Sequence, residues 1–188
     1  MEIRAYLING DVLDFSQNDP ALEEATLAEM HAGKLFSGKT LILGSGANCT
    51  LLQPSAICRI DLITQAHVPM PTTLNDSNIV IEDEAVFRLR AKAATTAFCE
   101  GIAPGEKYVG YLSFELAGGH KLMFELQRVL QNQIQFFMNI NRMLETPVMA
   151  FPHPRGGAIF VNVHNVVSVH ASPGFAEYSK GSLLVESR

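Results

Sequence analysis

The sequence predicts an α+β fold that is mostly β, built from two tandem small sheets that bend strongly and each carry an inserted helix. Two observations predict it. A strand, a tight corner and a second strand occupy residues 51–61, and the same pattern returns 109 residues later in residues 160–170. Other positions share that offset: Gly10 and Gly119, Leu13 and Leu122, and Phe15 and Phe124. An equal offset at both ends of each half predicts duplication of one β-β-α-β-β-β unit.

The composition indicates a folded chain, and no membrane-spanning helix is predicted. Hydrophobic residues are 47% and charged residues 18% of 188, which is enough to build a core. No apolar run approaches the roughly 20 residues of a membrane helix, and the start MEIRAYLING lacks the cationic region of a signal peptide. Cys49, Cys58 and Cys99 show no paired spacing, which favours a reducing compartment. We therefore expect a cytoplasmic protein.

The first half is expected to open with a β-hairpin, because Asn9-Gly10 separates two β-prone runs. Asp19 as N-cap and Pro20 at the first helical position then predict a helix. The remaining strands of this half are expected at residues 40–43, 49–52 and 57–63.

The second half repeats this order after a connector rich in proline and turn residues. A helix is predicted at 83–99, with Val86, Leu89 and Ala93 on one apolar face, and a longer helix at about 126–144. The strands are expected at residues 108–116, 121–124, 148–151, 158–161 and 166–170. The predicted organisation is a first unit at 1–66, a linker at 67–82, a second unit at 83–172 and a tail at 173–188.

The closing pattern of the second half, FVNVHNVVSV at 160–169, resembles the second signature of Sm-like proteins, including the bacterial RNA chaperone branch. The opening stretch YLINGDVL at 6–13 is similar to the first Sm strand pair with its Asn-Gly turn. The helix at 83–99 occupies the place of the N-terminal helix of an Sm-like domain. The resemblance implies two tandem Sm-like, or more broadly SH3-like, small barrels.

Two departures from the Sm-like pattern affect what it implies. In Sm-like proteins the second strand continues into the third through a short loop whose residues stack on a base, whereas a helix is predicted at that place in each half here. The Arg-Gly pair of the eukaryotic second signature is also missing, and Pro54-Ser55 and Val163-His164 lie near that corner.

The resemblance implies that the corner between the closing strands faces a ring pore and contacts a base or phosphate. The candidate nucleic-acid-binding residues there are Asn162, His164, Asn165, Gln53 and Ser55. Amide and imidazole groups bond base edges, and an imidazole also stacks. The alternative is that these short polar residues only cap turns. The net charge is −5, whereas nucleic-acid-binding proteins usually carry an excess of basic residues, so we expect weak RNA binding or none.

No pattern indicates catalysis, a metal or a cofactor. The Gly-Ser-Gly turn at 44–46 lacks the Lys-Ser/Thr tail of a phosphate loop. The three histidines between residues 153 and 170 show no ligand spacing. Cys58 lies in an apolar strand, where a free cysteine usually packs as a small core residue. We therefore expect no enzyme.

We expect a homo-oligomer. Exposed edge strands of small sheets need covering, and pairing around a ring covers them. No charged residue occurs from Val129 through Asn141, and lack of charge is typical of an interface. The expected function is a non-enzymatic Sm-like binding or scaffolding protein that forms a ring or another oligomer and contacts single-stranded RNA at most weakly. The open alternative is a structural or regulatory protein-interaction module with no nucleic acid.

Overall fold

A computed structural model describes residues 1–30, 32–45, 47–70, 78–99, 107–129 and 134–174. The strands in these ranges are β1 (Glu2–Leu7), β2 (Val12–Ser16), β3 (Leu41–Ser45), β4 (Asn48–Leu52), β5 (Ile57–Ile63), β6 (Asn78–Val80), β7 (Lys107–Leu116), β8 (Lys121–Val129), β9 (Val148–Pro152), β10 (Gly157–Asn162) and β11 (Val166–Ser172). The α-helices are α1 (Pro20–Glu29), α2 (Ala32–Leu35), α3 (Glu84–Cys99) and α4 (Ile134–Glu145). Two 3-10 turns, Pro54–Ala56 (corner 1) and Val163–Asn165 (corner 2), precede β5 and β11. The predicted α+β, mostly β class is confirmed.

The described strands form three open antiparallel sheets. Their orders are β2-β1-β5-β10-β9, β11-β7-β8-β6 and β3-β4. The two closed barrels expected from the sequence are therefore not seen. The physical reason is that the chain leaves the sheet through α1 and α2 after β2, and through α4 after β8. The β3–β4 hairpin then forms a separate sheet, and the β9–β10 hairpin pairs with β5.

Several local predictions are confirmed by the backbone. Gly10 has a φ of +93° in the β1–β2 turn, where its missing Cβ permits a left-handed conformation. The Asp19 side chain accepts a hydrogen bond from the Ala21 N–H at the start of α1. The Asp83 carboxylate, which the sequence analysis did not predict as a cap, accepts from two N–H groups of the first turn of α3.

The two halves pair their first, second and closing strands in one register. The opposing residues are Ile3–Phe15 and Leu112–Phe124 in the opening hairpins, and Ala5–Ile60 and Phe114–Val169 at the closing strands. In each half a bulge leaves one extra residue in the closing strand, Cys58 in β5 and Val167 in β11. Every one of these correspondences has the 109-residue offset found in the sequence.

Strand β5 of the first half pairs with β10 of the second half, and we call this ladder the joint. Ile60 lies opposite Phe160 in it. One face of the β9–β10 hairpin, with Ala150 and Phe160, packs into the core of the first half. The other face, with Phe151 and Val161, packs into the core of the second half. The halves thus share a continuous sheet, and the predicted limits of the units stay a prediction.

Two expectations about helices need correction. Val86 and Leu89 are exposed on α3, whereas Phe87 and Ala91 pack against Tyr111 of β7. Both stripes have helical spacing, so only the packing against β7 decides which one is buried. The helix predicted at about 126–144 begins at Ile134, because β8 continues to Val129 in its ladder with β7.

Parts of some predictions lie outside the described residues. These parts are residues 31 and 46 of the predicted first unit, residues 71–77 of the linker, residues 100–106 and 130–133 of the second unit, and residues 175–188 of the tail. Most side chains of the charge-free stretch at 129–141 also lie outside the description. Among the helices that the structure describes, none has the length and apolar character needed to cross a membrane.

Candidate functional site

The two corners lie against each other at the end of the joint. The Asn162 Nδ2 donates to the Pro54 carbonyl at 3.2 Å and to the Ile57 carbonyl at 3.0 Å. The Asn165 Nδ2 donates to the Ser55 carbonyl at 3.1 Å and to the Ile57 carbonyl at 2.8 Å. Backbone carbonyls of the first half lose contact with water where the corners meet. Side-chain amides from the second half therefore supply the hydrogen bonds that these carbonyls would otherwise lack.

A cleft of about 300 Å³ opens where the corners meet, and we call it the corner cleft. Its lining consists of Phe36, Gly38, Gln53, Pro54, Ser55, Asn162, His164 and Asn165. All five residues predicted from the sequence as nucleic-acid contacts are therefore brought together. Their role in binding stays a prediction.

The five residues divide into two roles, and the first is shared by Asn162 and Asn165, whose amides donate to carbonyls of corner 1. Asn162 is only 3% exposed, and its carbonyl oxygen also accepts from the His164 N–H at 3.2 Å. Its polar groups are thus used within the protein, as the turn-capping alternative expected. Gln53, Ser55 and His164 are exposed, and their side chains make no hydrogen bond to the part of the chain that the structure describes.

The chemistry of the corner cleft is neutral and polar beside an apolar wall. Phe36 is half-buried and Pro54 is buried, while the amide of Gln53 and the imidazole of His164 face solvent. Among the residues that the structure describes, the lining contains no lysine or arginine. Recognition in this cleft would therefore depend on hydrogen bonds and stacking rather than on ion pairs with phosphate.

A buried ion pair on β5 was missed by the sequence reasoning. The Arg59 Nε lies 2.6 Å from the Asp61 Oδ1, and the Arg59 Nη2 lies 2.7 Å from Oδ2. The Tyr6 hydroxyl donates to the same carboxylate at 3.1 Å, and its ring lies under the guanidinium. The available signal was an Arg and an Asp two positions apart in an otherwise apolar strand, since such residues share one face.

The ion pair connects the two halves. The Arg59 Nη1 donates to the Lys121 carbonyl of β8 at 3.3 Å. His153, which follows β9, places its Nε2 3.9 Å from the Asp61 carboxylate. Burial lowers the pKa of His153, although the carboxylates of Asp61 and Glu82 act in the opposite direction. Because Asp61 is already bound by Arg59 and Tyr6, the cluster is suited to holding the halves together rather than to acid–base chemistry.

A larger cleft of about 1150 Å³ lies between α1 and the end of β5. Four charged groups in its lining form two pairs. The Met1 ammonium is 3.5 Å from the Glu23 carboxylate, and the Arg155 Nη2 is 3.1 Å from Glu2. Among the described lining residues, the carboxylate of Glu24 is the acidic group outside these pairs.

The chain was compared with models of known protein families, with curated proteins and with solved structures, and none of the three comparisons gave a match. The resemblance to Sm-like proteins therefore stays a prediction based on two short motifs.

Proposed function

We propose that this protein is a non-enzymatic, duplicated Sm-like scaffold whose copies assemble through edge strands into a ring or another closed oligomer. One observation carries the proposal. Within the chain, β10 of the second half covers β5 of the first half. The strands at the equivalent positions, β4 and β11, each have an edge that pairs with no strand of the described chain.

Open strand edges favour assembly for a physical reason. A row of unpaired N–H and C=O groups is a template for another strand, and proteins cover such edges or pair them. The edges of β4 and β11 belong to different strands, so pairing between these two edges on different copies is head-to-tail. Head-to-tail contacts generate a closed ring when the rotation between copies closes.

The second candidate function is the binding of single-stranded RNA at the corner cleft. It is favoured by the three exposed polar side chains, Gln53, Ser55 and His164, that converge there beside Phe36. Unstacked bases are bound by this combination of hydrogen bonds and stacking. The acidic balance of the chain and the neutral lining support weak binding at most.

We assign the scaffold to a reducing compartment such as the cytoplasm. Cys49 is an exposed free thiol and Cys58 a buried one. Free thiols persist where glutathione and thioredoxin keep them reduced.

Light scattering coupled to gel filtration tests the scaffold. We expect a mass that is a multiple of the chain mass of 20.6 kDa and that is stable on dilution. A mass of one chain at every concentration would exclude assembly and leave a monomeric interaction module.

Fluorescence anisotropy with oligo-U and oligo-A RNA tests the second candidate. Binding should weaken in the His164→Ala variant, and a matched control, His67→Ala, changes an exposed histidine that does not line the corner cleft. Flat curves at low salt would exclude the RNA role without affecting the scaffold.

A further inference from the structure

We infer that the β3–β4 hairpin of one copy docks into the groove between α4 and β11 of a second copy, and repeats between chains the contact that β9–β10 makes with β5 within the chain. The inference rests on the proposed assembly, and it specifies the two surfaces, their register and the side chains that each contributes.

The donor surface is the outer face of the β3–β4 hairpin. Ile42 and Leu51 lie opposite each other in this hairpin and are 64% and 62% exposed. On the inner face Leu43 and Leu52 pack into the core of the first half. A small hairpin that exposes two large aliphatic side chains on one face is a candidate for an interface.

The equivalent hairpin of the second half already buries that outer face. Phe160, at the 109-residue offset from Leu51, is fully buried, and Ala150, which lies opposite Phe160, is 2% exposed. Both belong to the core of the first half rather than to their own core. The β9–β10 hairpin therefore uses both faces, whereas β3–β4 uses one.

The receiving surface is a groove of about 490 Å³. Its apolar lining includes Ile140 and Leu144 of α4, and Val166, Val167, Val169 and Ala171 of β11. The residues of β5 equivalent to Val166 and Val169 are Ile57 and Ile60, which are fully buried in the first half. Val166 and Val169 themselves are only half-buried, because β11 has no strand on its outer edge in the described chain.

The joint supplies the register of the contact between copies. Within the chain Ile60 lies opposite Phe160, and Leu62 lies opposite Ala158. The 109-residue offset converts these pairs into Val169 opposite Leu51, and Ala171 opposite Cys49, on different copies.

A second pair of exposed apolar residues fits the same contact. The Cys58 thiol donates to the Ala117 carbonyl at the turn between β7 and β8. The equivalents of Cys58 and Ala117 are Val167 and Ile8, which are 67% and 46% exposed. One interface between copies therefore covers Ile8, Ile42, Leu51 and Val167 together.

The corners fit this arrangement as well. Gln53 stands at the position equivalent to Asn162, and both side chains end in an amide. Asn162 donates to Pro54 and Ile57 within the chain. The exposed Gln53 amide is thus placed to donate to the carbonyls of Val163 and Val166 of the next copy. A second copy is the occupant we choose because it carries the donor hairpin, the groove and the amide in matching register.

A single substitution tests the register. In the Ala171→Cys variant, oxidation should link the new thiol to the native Cys49 of the next copy, since opposing residues of antiparallel strands lie within disulfide reach. Non-reducing electrophoresis should show a ladder of linked chains. The control His170→Cys, whose side chain points to the other face of β11, should give little linkage.

Two charge substitutions test the surfaces. Leu51→Asp places a charge on the donor hairpin, and Val167→Asp places one on the receiving strand. Each variant alone should be unable to form the contact between copies and should have the mass of one chain. Mixed together they should form a dimer, because the first keeps an intact β11 and the second an intact β4. Leu89→Asp, at a 72% exposed leucine of α3, is the matched control and should keep the native mass. Circular dichroism checks that each variant is folded.

The outcomes separate this inference from the proposed function. If the native chain assembles but Leu51→Asp keeps the native mass and Ala171→Cys gives no ladder, the docking inference is wrong and the scaffold stands. If the mixture of the two variants stays monomeric, the head-to-tail arrangement is wrong. A native chain that is monomeric at every concentration overturns both.

Discussion

The side-chain amide of Asn162 donates a hydrogen bond to the carbonyl oxygen of Ile57 at 3.0 Å, and so ties the end of β10 to the start of β5, 105 residues earlier. The same amide reaches the carbonyl of Pro54. Since Asn162 is 3% exposed, water cannot take the place of its amide as the donor to these carbonyls unless the joint opens. The contact between the halves is therefore polar at the corners and apolar along the strands.

The first prediction concerns this amide. Asn162→Ala should lower the free energy of unfolding by about 1–3 kcal/mol, because it leaves buried carbonyls without donors. Urea denaturation of the monomeric Leu51→Asp background measures the effect without a contribution from assembly. Gln53→Ala in that background should change stability by less than about 0.5 kcal/mol, since Gln53 is exposed in the single chain. Equal losses in the two variants would contradict the proposed difference between the corners.

The second prediction concerns the buried ion pair. Asp61→Asn should cost about 3–5 kcal/mol, because Arg59 is then left buried without its counter-charge. The double variant Arg59→Met/Asp61→Leu should lose much less, since no charge is left unpaired. Chemical denaturation compares these variants with Asp14→Asn, which breaks an exposed pair with Arg4 and should cost less than about 1 kcal/mol. If the double variant lost as much stability as the sum of the losses in the single Arg59 and Asp61 variants, the two residues would not be a coupled pair.

The third prediction is a pH dependence that arises from His153. Its Nδ1 accepts a hydrogen bond from the Arg155 N–H at 3.1 Å, and burial lowers the pKa of the imidazole. The unfolded chain, in which the pKa of histidine is about 6.5, then binds a proton that the folded chain does not. This contribution to stability is complete above about pH 6.5 and is lost as the pH falls towards the folded pKa, with a slope of at most about 1.4 kcal/mol per pH unit.

Urea denaturation between pH 5.5 and 7.5 measures that slope. In the His153→Gln variant the stability should depend less on pH over this range, even if the variant is less stable throughout. Parallel curves for the two proteins would show that His153 does not carry the dependence.

The fourth prediction concerns the buried thiol of the joint. Burial raises the pKa of Cys58 to about 11, and the side chain is fully buried. Because the thiolate is the reactive form, Cys58 should resist alkylation at pH 8 in the folded protein and react fully in urea. Peptide mapping by mass spectrometry distinguishes it from Cys49, which is exposed in the single chain and should react in the Leu51→Asp background. Rapid labelling of Cys58 under native conditions would indicate that the joint opens readily.

Local turns and one helix cap of the fold were predictable from the sequence. The Asn9-Gly10 hairpin and the N-cap Asp19 follow from conformational preferences of a few neighbouring residues, and both are present. The two corners were also placed correctly, at Pro54–Ala56 and Val163–Asn165. The candidate residues of the corner cleft were found by the same pattern, because a polar residue before a turn stands out between apolar strands.

Other features were not predictable, because they depend on which surfaces meet. The buried stripe of α3 was assigned to Val86 and Leu89, yet the sheet covers Phe87 and Ala91 instead. The roles of Asn162 and His164 differ only because the first faces β5 and the second faces solvent. A pattern of side chains along one segment carries no information on such a choice of partner.

The sequence by itself determined the order of the elements, the mostly β class and the 109-residue correspondence between the halves, since periodicity, caps and turn residues act within a few positions of each other. Only the tertiary structure decided that β5 pairs with β10, that Arg59 and Asp61 are buried together, and that β4 and β11 are left with open edges. Strand pairing is a long-range choice, set by the match of whole faces once the chain has collapsed, and two halves of similar pattern offer several partners of the same local quality.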